Sequence, residues 1–324
     1  MRTGSGLLSW IAGCFLGGLF LLMALVAQAQ KLFVADKGSG NIYEFTPGGV
    51  RSTFASGLNS PFGLAFDSTG DLFVSSLNGN SITEFMRSGG QRAFASGLNA
   101  PCGLAFNSAG DLFVAQGGYS SGSIVEITPN GTKSVLASGL VNPETLAFDS
   151  AGNLFVQSPG FGSFLGYVTK VTPNGSASTF ASGLNFPSGL AFDSAGNLFV
   201  SGSGNYIYRF SPSGAGSSFY SGSVDLSGDS VFDSQGNLLV SSGIGGGAND
   251  VIYRFTPGGG MSVFASGLYV PAEMAFQPVP EPSALVVSAI AFVMLLGVTM
   301  RQRIDVAKKP QHPARPPVNL KSQI

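Results

Sequence analysis

Three acidic residues, Glu144, Asp229 and Glu273, stand at nearly equivalent places in a phrase that the sequence repeats along its length. Asp229 and Glu273 share one aligned position, and Glu144 lies one place before it. The other residues at that position are Gly63, Gly103, Thr145 and Gly189. Converging carboxylates can hold a hard cation such as Ca²⁺, which prefers oxygen ligands. Carboxylates beside a water-filled channel can equally be solvated charges, and the sequence leaves both interpretations open.

Most other chemistries are excluded by composition. The only His is His312 and the only Trp is Trp10, and both lie outside the repeats. Catalysis by Ser-His-Asp or Cys-His groups needs an imidazole base, and zinc sites are built mainly on His and Cys. If Cys14 is removed with the leader, Cys102 is left with no disulfide partner and is interpreted as a small packing residue. The Gly-rich segments 245–247 and 258–260 are interpreted as turns, since neither has the strand-to-helix context of a phosphate loop.

The repeated phrase runs Gly-Leu-Ala-Phe-Asp-Ser-Ala-Gly-Asn-Leu-Phe-Val from Gly189, and it predicts a strand, a tight turn and a second strand. The second strand of this phrase begins at Leu32, Leu72, Leu112, Leu154, Leu198 and Leu238. The spacings are 40 to 44 residues, a period typical of propellers. The recurrent Phe residues are therefore expected to pack between blades.

Each repeat holds four candidate strands, which in the second repeat are 64–66, 72–75, 81–85 and 92–95. The chain begins with the second strand of a blade and ends with a first strand, residues 274–276. We therefore expect residues 274–276 to lie innermost in the blade formed by 32–34, 41–45 and 51–55. The predicted fold is an all-β, six-bladed propeller over residues 30–278, closed by this pairing, which removes exposed sheet edges.

The motif P-x-G-L-A-F-D-S-x-G-[DN]-L-F-V, followed by I-x-x-F as at residues 82–85, resembles the NHL-repeat family of six-bladed propellers. The resemblance covers residues 32–277 and implies a fold rather than an activity. Gluconolactonase-like propellers use a metal near the channel, but with a fuller set of acidic and Asn residues than this sequence offers. Streptogramin lyases, propellers of related appearance, depend on His, which the body of this chain lacks.

Residues 1–29 are typical of a secretory signal, with Arg2 before a long apolar stretch. Ala27 and Ala29 supply the small side chains that signal peptidase requires, so cleavage is expected before Gln30. Two alternatives remain: an uncleaved membrane anchor, and a lipoprotein whose acceptor is Cys14.

The C-terminal region changes composition after the last repeat. A proline-bounded linker consists of Val279, Pro280, Glu281, Pro282 and Ser283. Residues 284–300 carry no charge and predict a transmembrane helix, which Arg301 and Arg303 end on the cytoplasmic side. Residues 304–324 predict a disordered basic tail.

This order of elements over residues 279–303 resembles the PEP-CTERM sorting signal of Gram-negative bacteria. The resemblance implies processing by an exosortase near the Pro-Glu-Pro segment, after export through signal peptidase. The alternative is a plain C-terminal membrane anchor. Anchored or released, the protein is expected in the cell envelope, at the cell surface or in the extracellular matrix.

Loops between strands 2 and 3, and between strands 4 and 1, vary among the repeats and should share one face of the propeller. Tyr119, Phe161 and Phe164 in these loops break the repeat pattern and are candidate binding residues. Residues 30–279 hold nine Lys and Arg against fifteen Asp and Glu, a net charge of −6, which excludes nucleic acid as a partner.

The sequence therefore predicts a non-enzymatic, exported surface module that binds a polysaccharide or another protein and needs no cofactor. The alternative is a metal-dependent, lactonase-like hydrolase built on Asp229 and Glu273, with Ca²⁺ as the expected ion. A passive structural spacer is a third interpretation.

Overall fold

The computed structural model describes residues 30–118, 121–159, 165–243 and 249–279. These residues form an all-β propeller of six blades, each a four-stranded antiparallel sheet. Both the number of blades and the number of strands in each confirm the prediction. Among the described residues, no helix is long and apolar enough to cross a membrane. The predicted leader, sorting signal and transmembrane helix lie outside the described residues, apart from Val279.

The strands follow the chain blade by blade. Blade 1 begins with β1 (Leu32–Asp36), β2 (Asn41–Phe45) and β3 (Arg51–Ala55), and blade 2 holds β4 (Pro61–Phe66), β5 (Leu72–Ser76), β6 (Ser81–Phe85) and β7 (Gln91–Ser96). Blade 3 holds β8 (Leu104–Phe106), β9 (Leu112–Gln116), β10 (Gly122–Ile127) and β11 (Lys133–Leu140). Blade 4 holds β12 (Leu146–Phe148), β13 (Leu154–Ser158), β14 (Leu165–Val171) and β15 (Ala177–Asn185).

The last two blades complete the ring. Blade 5 holds β16 (Pro187–Phe192), β17 (Leu198–Gly202), β18 (Tyr206–Phe210) and β19 (Gly216–Ser221). Blade 6 holds β20 (Ser230–Phe232), β21 (Leu238–Ser241), β22 (Asp250–Phe255) and β23 (Met261–Leu268), and the final strand is β24 (Pro271–Phe276).

Strand β24 closes the ring by joining blade 1 as its innermost strand. It pairs antiparallel with β1, in the register Leu32 to Phe276 and Val34 to Met274. The pairing joins the two ends of the repeat array, so no edge of an inner strand remains open at the seam. The predicted closure through residues 274–276 is therefore confirmed.

Phe side chains fill the junctions between blades. Phe155 of blade 4 makes edge-to-face contacts with Phe180 of its own blade and with Phe192 of blade 5, at centroid distances of 4.9 and 5.0 Å. Phe73 of blade 2 contacts Phe106 of blade 3 in the same geometry at 4.9 Å. Such pairs add about 0.5–1.5 kcal/mol beyond the apolar area that they bury. The expected packing of the Phe residues between blades is confirmed.

Candidate functional site

The residues of the candidate site lie on the innermost strands, which surround the central channel. Glu273 belongs to β24 of blade 1, and Asp229 immediately precedes β20 of blade 6. Both side chains are buried, with Asp229 7% and Glu273 4% exposed. Blades 6 and 1 are neighbours at the seam, and the charge of Asp229 contributes to raising the pKa of Glu273.

Polar side chains on the second strands form hydrogen bonds that link neighbouring blades around the central channel. Ser75 Oγ accepts a bond from the Gly63 amide at 2.7 Å and donates to the Cys102 carbonyl of the next blade at 2.6 Å. Ser201 Oγ accepts from the Gly189 amide and donates to the Gly228 carbonyl, both at 3.2 Å. The pattern was not recognised in the sequence, although a polar fourth residue in four of the six second strands was a visible signal.

The two carboxylates continue this set of hydrogen bonds across the seam. Asp229 Oδ2 accepts a hydrogen bond from the Met274 amide of blade 1 at 2.8 Å. Glu273 Oε2 accepts one from the Leu64 amide of blade 2 at 3.0 Å. Each acidic side chain thus bridges from its own blade to the inner strand of the following blade.

The second oxygen of Glu273 has no hydrogen-bond partner among the described residues. Glu273 Oε1 is buried, although the Leu104 amide lies close enough to favour the ionised carboxylate. A buried polar atom without a partner is rare in folded proteins and calls for an explanation. A proton on the carboxyl group, favoured by burial, would lower the cost of burying this oxygen.

Burial makes both carboxyl groups hold their protons unusually tightly. Burial raises the pKa of Asp229 to about 7, against the opposing hydrogen bonds from the Met274 and Ser230 amides. Burial, followed by the charge of Asp229, raises the pKa of Glu273 well above its ordinary value. Burial therefore favours the protonated form of both carboxyl groups.

The raised pKa values predict that the propeller loses stability as pH rises. An acid whose pKa is higher in the folded than in the unfolded state imposes no cost below its unfolded pKa. The cost of keeping it buried grows as pH rises from about 4 towards the folded pKa, near 7 for Asp229. We expect the free energy of unfolding to fall by a few kcal/mol between pH 5 and pH 8, measured by urea denaturation.

The control for this pH dependence is Asp229→Asn, which should flatten the profile in the same interval. Glu144, whose pKa burial also raises, and Glu273 would still titrate in that variant. A wild-type protein whose stability is unchanged between pH 5 and pH 8 would contradict the burial of a carboxyl pair.

Glu144 and Cys102 lie near the carboxyl pair and interact with it electrostatically. Glu144 Oε1 accepts a hydrogen bond from the Asn142 amide group at 2.8 Å, and its charge helps to raise the pKa of Glu273. Burial, and then the charges of Glu144 and Glu273, raise the pKa of Cys102 to about 12. Cys102 is therefore a neutral thiol at physiological pH and not a nucleophile, in agreement with its interpretation as a packing residue.

The carboxyl set does not fit a resident divalent cation. Within the described ranges, no three His, Cys, Asp or Glu side chains are placed to share one metal ion. Asp229 Oδ2 and Glu273 Oε2 are already bonded to strand amides, whereas Ca²⁺ takes six to eight oxygen ligands. A pair that binds protons more tightly than usual also makes metal binding compete with those protons.

The candidate binding residues on the variable loops, Tyr119, Phe161 and Phe164, lie outside the described residues. Their assignment stays a prediction. Several clefts lie instead on the opposite face, between the uniform turns of neighbouring blades.

Solved structures of similar fold are numerous, whereas sequence comparison identifies no family. No protein-family model matches the sequence, and no curated protein is similar to it at a significant level. The resemblance to NHL repeats therefore stays a prediction.

Three solved structures illustrate the fold relationship. A catalytically inactive virginiamycin B lyase from Staphylococcus aureus, solved with quinupristin, aligns with a TM-score of 0.55 at 16% identity, over 74% of this chain and 85% of the lyase. A gluconolactonase from Xanthomonas campestris gives 0.54 at 18% identity, over 76% and 86%. A calcium-binding regucalcin from Agrobacterium tumefaciens gives 0.52 at 16% identity, over 63% and 73%. At these identities the likeness shows the shared propeller fold alone.

Proposed function

We propose that the channel of this propeller is a lactonase-like hydrolytic site in which Asp229 and Glu273 act as an acid–base pair. The observation that carries the proposal is the pair of buried carboxyl groups on neighbouring blades, both with raised pKa values and with one unpartnered oxygen on Glu273. A pKa near 7 suits a general base, because such a group is partly ionised at neutral pH and still accepts a proton readily.

The proposed reaction proceeds without a metal. Asp229 removes a proton from a water molecule as the water oxygen attacks the lactone carbonyl carbon. The ring C–O bond then breaks, and protonated Glu273 gives its proton to the leaving oxygen, which yields a hydroxy acid. A proton passing from Asp229 to Glu273 restores the starting pair. No step is assigned to Ca²⁺, because the donor set does not complete a coordination shell.

The solved neighbours support this proposal only through their fold. A gluconolactonase and a calcium-binding regucalcin share the propeller, which agrees with a hydrolytic channel. The lyase neighbour is described as inactive in a histidine-to-alanine variant, and the sole His of this chain, His312, lies outside the repeats. Lyase chemistry that depends on His is therefore not proposed.

We expect the full chain to hydrolyse at least one member of a panel of γ- and δ-lactones. Hydrolysis is measured as the acid released, titrated at constant pH. Activity should persist in EDTA, because the proposed pair needs no metal. No turnover across the panel would reject the proposal. If turnover vanishes in EDTA and returns with Ca²⁺ or Mg²⁺, the metal-free mechanism is wrong and the hydrolase is metal-dependent.

A non-enzymatic binding role is the second proposal. The observation that favours it is the series of similar clefts between blades on the uniform face. In this role the protein is exported, sorted through its C-terminal signal and displayed in the cell envelope or extracellular matrix. Mass spectrometry of both termini of the mature protein tests the export and sorting, since an intact C-terminus would contradict exosortase processing.

A further inference from the structure

Three consecutive clefts lie at the junctions of blades 4 and 5, 5 and 6, and 6 and 1. Their volumes are about 490, 530 and 280 Å³, and the two larger volumes fall within the range of small-ligand sites. Each cleft is lined by the turn after an inner strand, by the turn between the outer strands, and by Phe side chains beneath them. These junction clefts open on the face away from the variable loops.

Two of the junction clefts, those between blades 5 and 6 and between blades 6 and 1, are lined by a basic side chain from the same position of the repeat. Lys170 stands at that position in blade 4 but is not among the residues that line the cleft between blades 4 and 5. Lys170, Arg209 and Arg254 occupy the third-strand position opposite the middle residue of the Leu-Phe-Val strand. In blades 1 to 3 that position holds an acid: Glu44, Glu84 or Glu126. One half of the ring therefore carries cations where the other half carries carboxylates.

Each of the three cations lies over a Phe ring of its own blade. Lys170 Nζ lies 5.4 Å from the Phe155 ring centre, and the Arg209 guanidinium lies 5.9 Å from that of Phe199. The Arg254 guanidinium lies 4.6 Å from the ring centre of Phe264, because blade 6 has Leu239 in place of the inner Phe. Stacking holds each charge against a ring face, which suits the planar guanidinium of Arg209 and Arg254.

Among the described residues, nothing neutralises the positive charge of the two arginines. Within the described part of the chain, no carboxylate lies within ion-pair distance of Arg209 or Arg254. Arg254 Nη2 donates to the Pro47 carbonyl at 3.2 Å, and its buried Nε has no acceptor. Lys170 lies 3.7 Å from Asp149, a long contact between partly exposed groups.

The carboxylate oxygens of Asp193 and Asp233 at the cleft rims accept hydrogen bonds from the turns in which these residues lie. Asp193 Oδ1 accepts hydrogen bonds from the Ala195 and Asn197 amides at 2.9 and 2.8 Å. Asp193 Oδ2 accepts a bond from the Asn197 side chain at 2.7 Å. Asp233 makes the same three bonds in blade 6. The hydroxyl groups of Ser194 and Ser234 line the clefts beside them as polar rim groups.

We propose that these junction clefts bind successive carboxylated sugar units of an acidic polysaccharide. A guanidinium presents a planar fork that matches a carboxylate, the Phe rings offer apolar walls for the sugar ring, and the rim supplies hydroxyl partners. The two arginine-lined clefts lie at adjacent junctions, which suits a repeating polymer, because each occupied cleft holds the next unit at high effective concentration.

The test compares two single charge removals in the full chain. Arg209→Gln removes a cation from a junction cleft, whereas the matched control Lys133→Gln removes one from the exposed start of β11 in blade 3. The probes are oligogalacturonates of increasing length, with neutral dextran oligosaccharides of equal length as reference. Binding is measured by calorimetry at low and high salt.

We expect Arg209→Gln to weaken oligogalacturonate binding about tenfold and Lys133→Gln to change it little, with Arg209→Lys intermediate. Affinity should rise with chain length and fall with added salt. Equal losses in the two Gln variants would attribute binding to bulk charge and overturn the proposal. Dextran binding of equal strength, or no binding of oligogalacturonate to the wild type, would overturn it too.

This inference is independent of the proposed hydrolysis. Asp229 and Glu273 stand at the start of their inner strands, whereas the junction clefts lie beyond the ends of those strands. Arg209→Gln should therefore leave lactone turnover unchanged, so failure of one proposal leaves the other standing.

Discussion

The variant Asp229→Asn is expected to lower lactone turnover by about 10²- to 10⁴-fold, the usual contribution of a positioned general base. The amide oxygen can still accept the Met274 hydrogen bond that Asp229 Oδ2 accepts now, so the link between blades 6 and 1 is kept. The amide cannot take a proton from water at neutral pH, and the reaction loses its base. The measurement is the turnover rate on the best lactone of the panel, with the thermal midpoint recorded alongside.

The matched control is Asp71→Asn, which also converts one Asp of the propeller to an amide. Asp71 lies in the turn after the inner strand of blade 2, where blades 4 to 6 already have Asn153, Asn197 and Asn237. The control should retain full turnover. Unchanged turnover in Asp229→Asn would remove Asp229 from the reaction.

Glu273→Gln tests the second member of the pair and separates it from the first. Its amide oxygen can keep the Leu64 hydrogen bond, but the side chain has no acidic proton for the leaving oxygen. We expect a loss that shrinks for lactones with a more acidic leaving hydroxyl, because these need less protonation in the transition state. An equal loss for every lactone would limit Glu273 to a positioning role.

The substitution Gly103→Ala is expected to destabilise the propeller by about 3 kcal/mol, near the upper end of the usual cost of overpacking. An added Cβ would lie 2.1 Å from the Glu144 carbonyl oxygen and 2.7 Å from Glu273 Oε1. The first of these neighbours is backbone, so the inner strands of blades 3 and 4 would have to separate. That separation would also strain the 2.9 Å hydrogen bond from the Gly103 amide to the Glu144 carbonyl.

Gly258→Ala is the control for Gly103→Ala, because no other atom lies within 4 Å of the Cβ it would add. Its effect on the free energy of unfolding in urea should stay within about 0.5 kcal/mol. Equal stability of the two variants would mean that the inner strands of blades 3 and 4 do not approach each other as described.

The repeat made the blades readable from sequence, because each blade repeats the same local pattern of apolar strands and Gly-containing turns. The period of 40 to 44 residues and the partial copy at residues 274–276 were enough to predict six blades and the closing pair. Alignment of the inner strands also placed Asp229 and Glu273 at one position of the repeat, and the structure shows both side chains buried. The predicted aromatic binding residues on the variable loops remain untested.

Repeat alignment did not reveal that the same aligned position has different surroundings in different blades. Gly103 is pressed against the Glu144 carbonyl, whereas Thr145 at the same position has room to donate a hydrogen bond to the Ser188 carbonyl at 2.7 Å. The spacing of neighbouring inner strands decides this difference, and it depends on how each pair of blades packs. The basic residues Lys170, Arg209 and Arg254 can likewise be aligned in the sequence. Their contacts with Phe rings become evident only in the structure.

The sequence by itself determined the blade count and the closure, because these follow from hydrophobic periodicity and from the register of a repeat. Only the tertiary structure decided the protonation of the two carboxyl groups, since a pKa depends on burial and on charges brought in from other blades. The tertiary structure also decided which face carries the described clefts, because each cleft is formed by residues of two neighbouring blades that are far apart in the sequence.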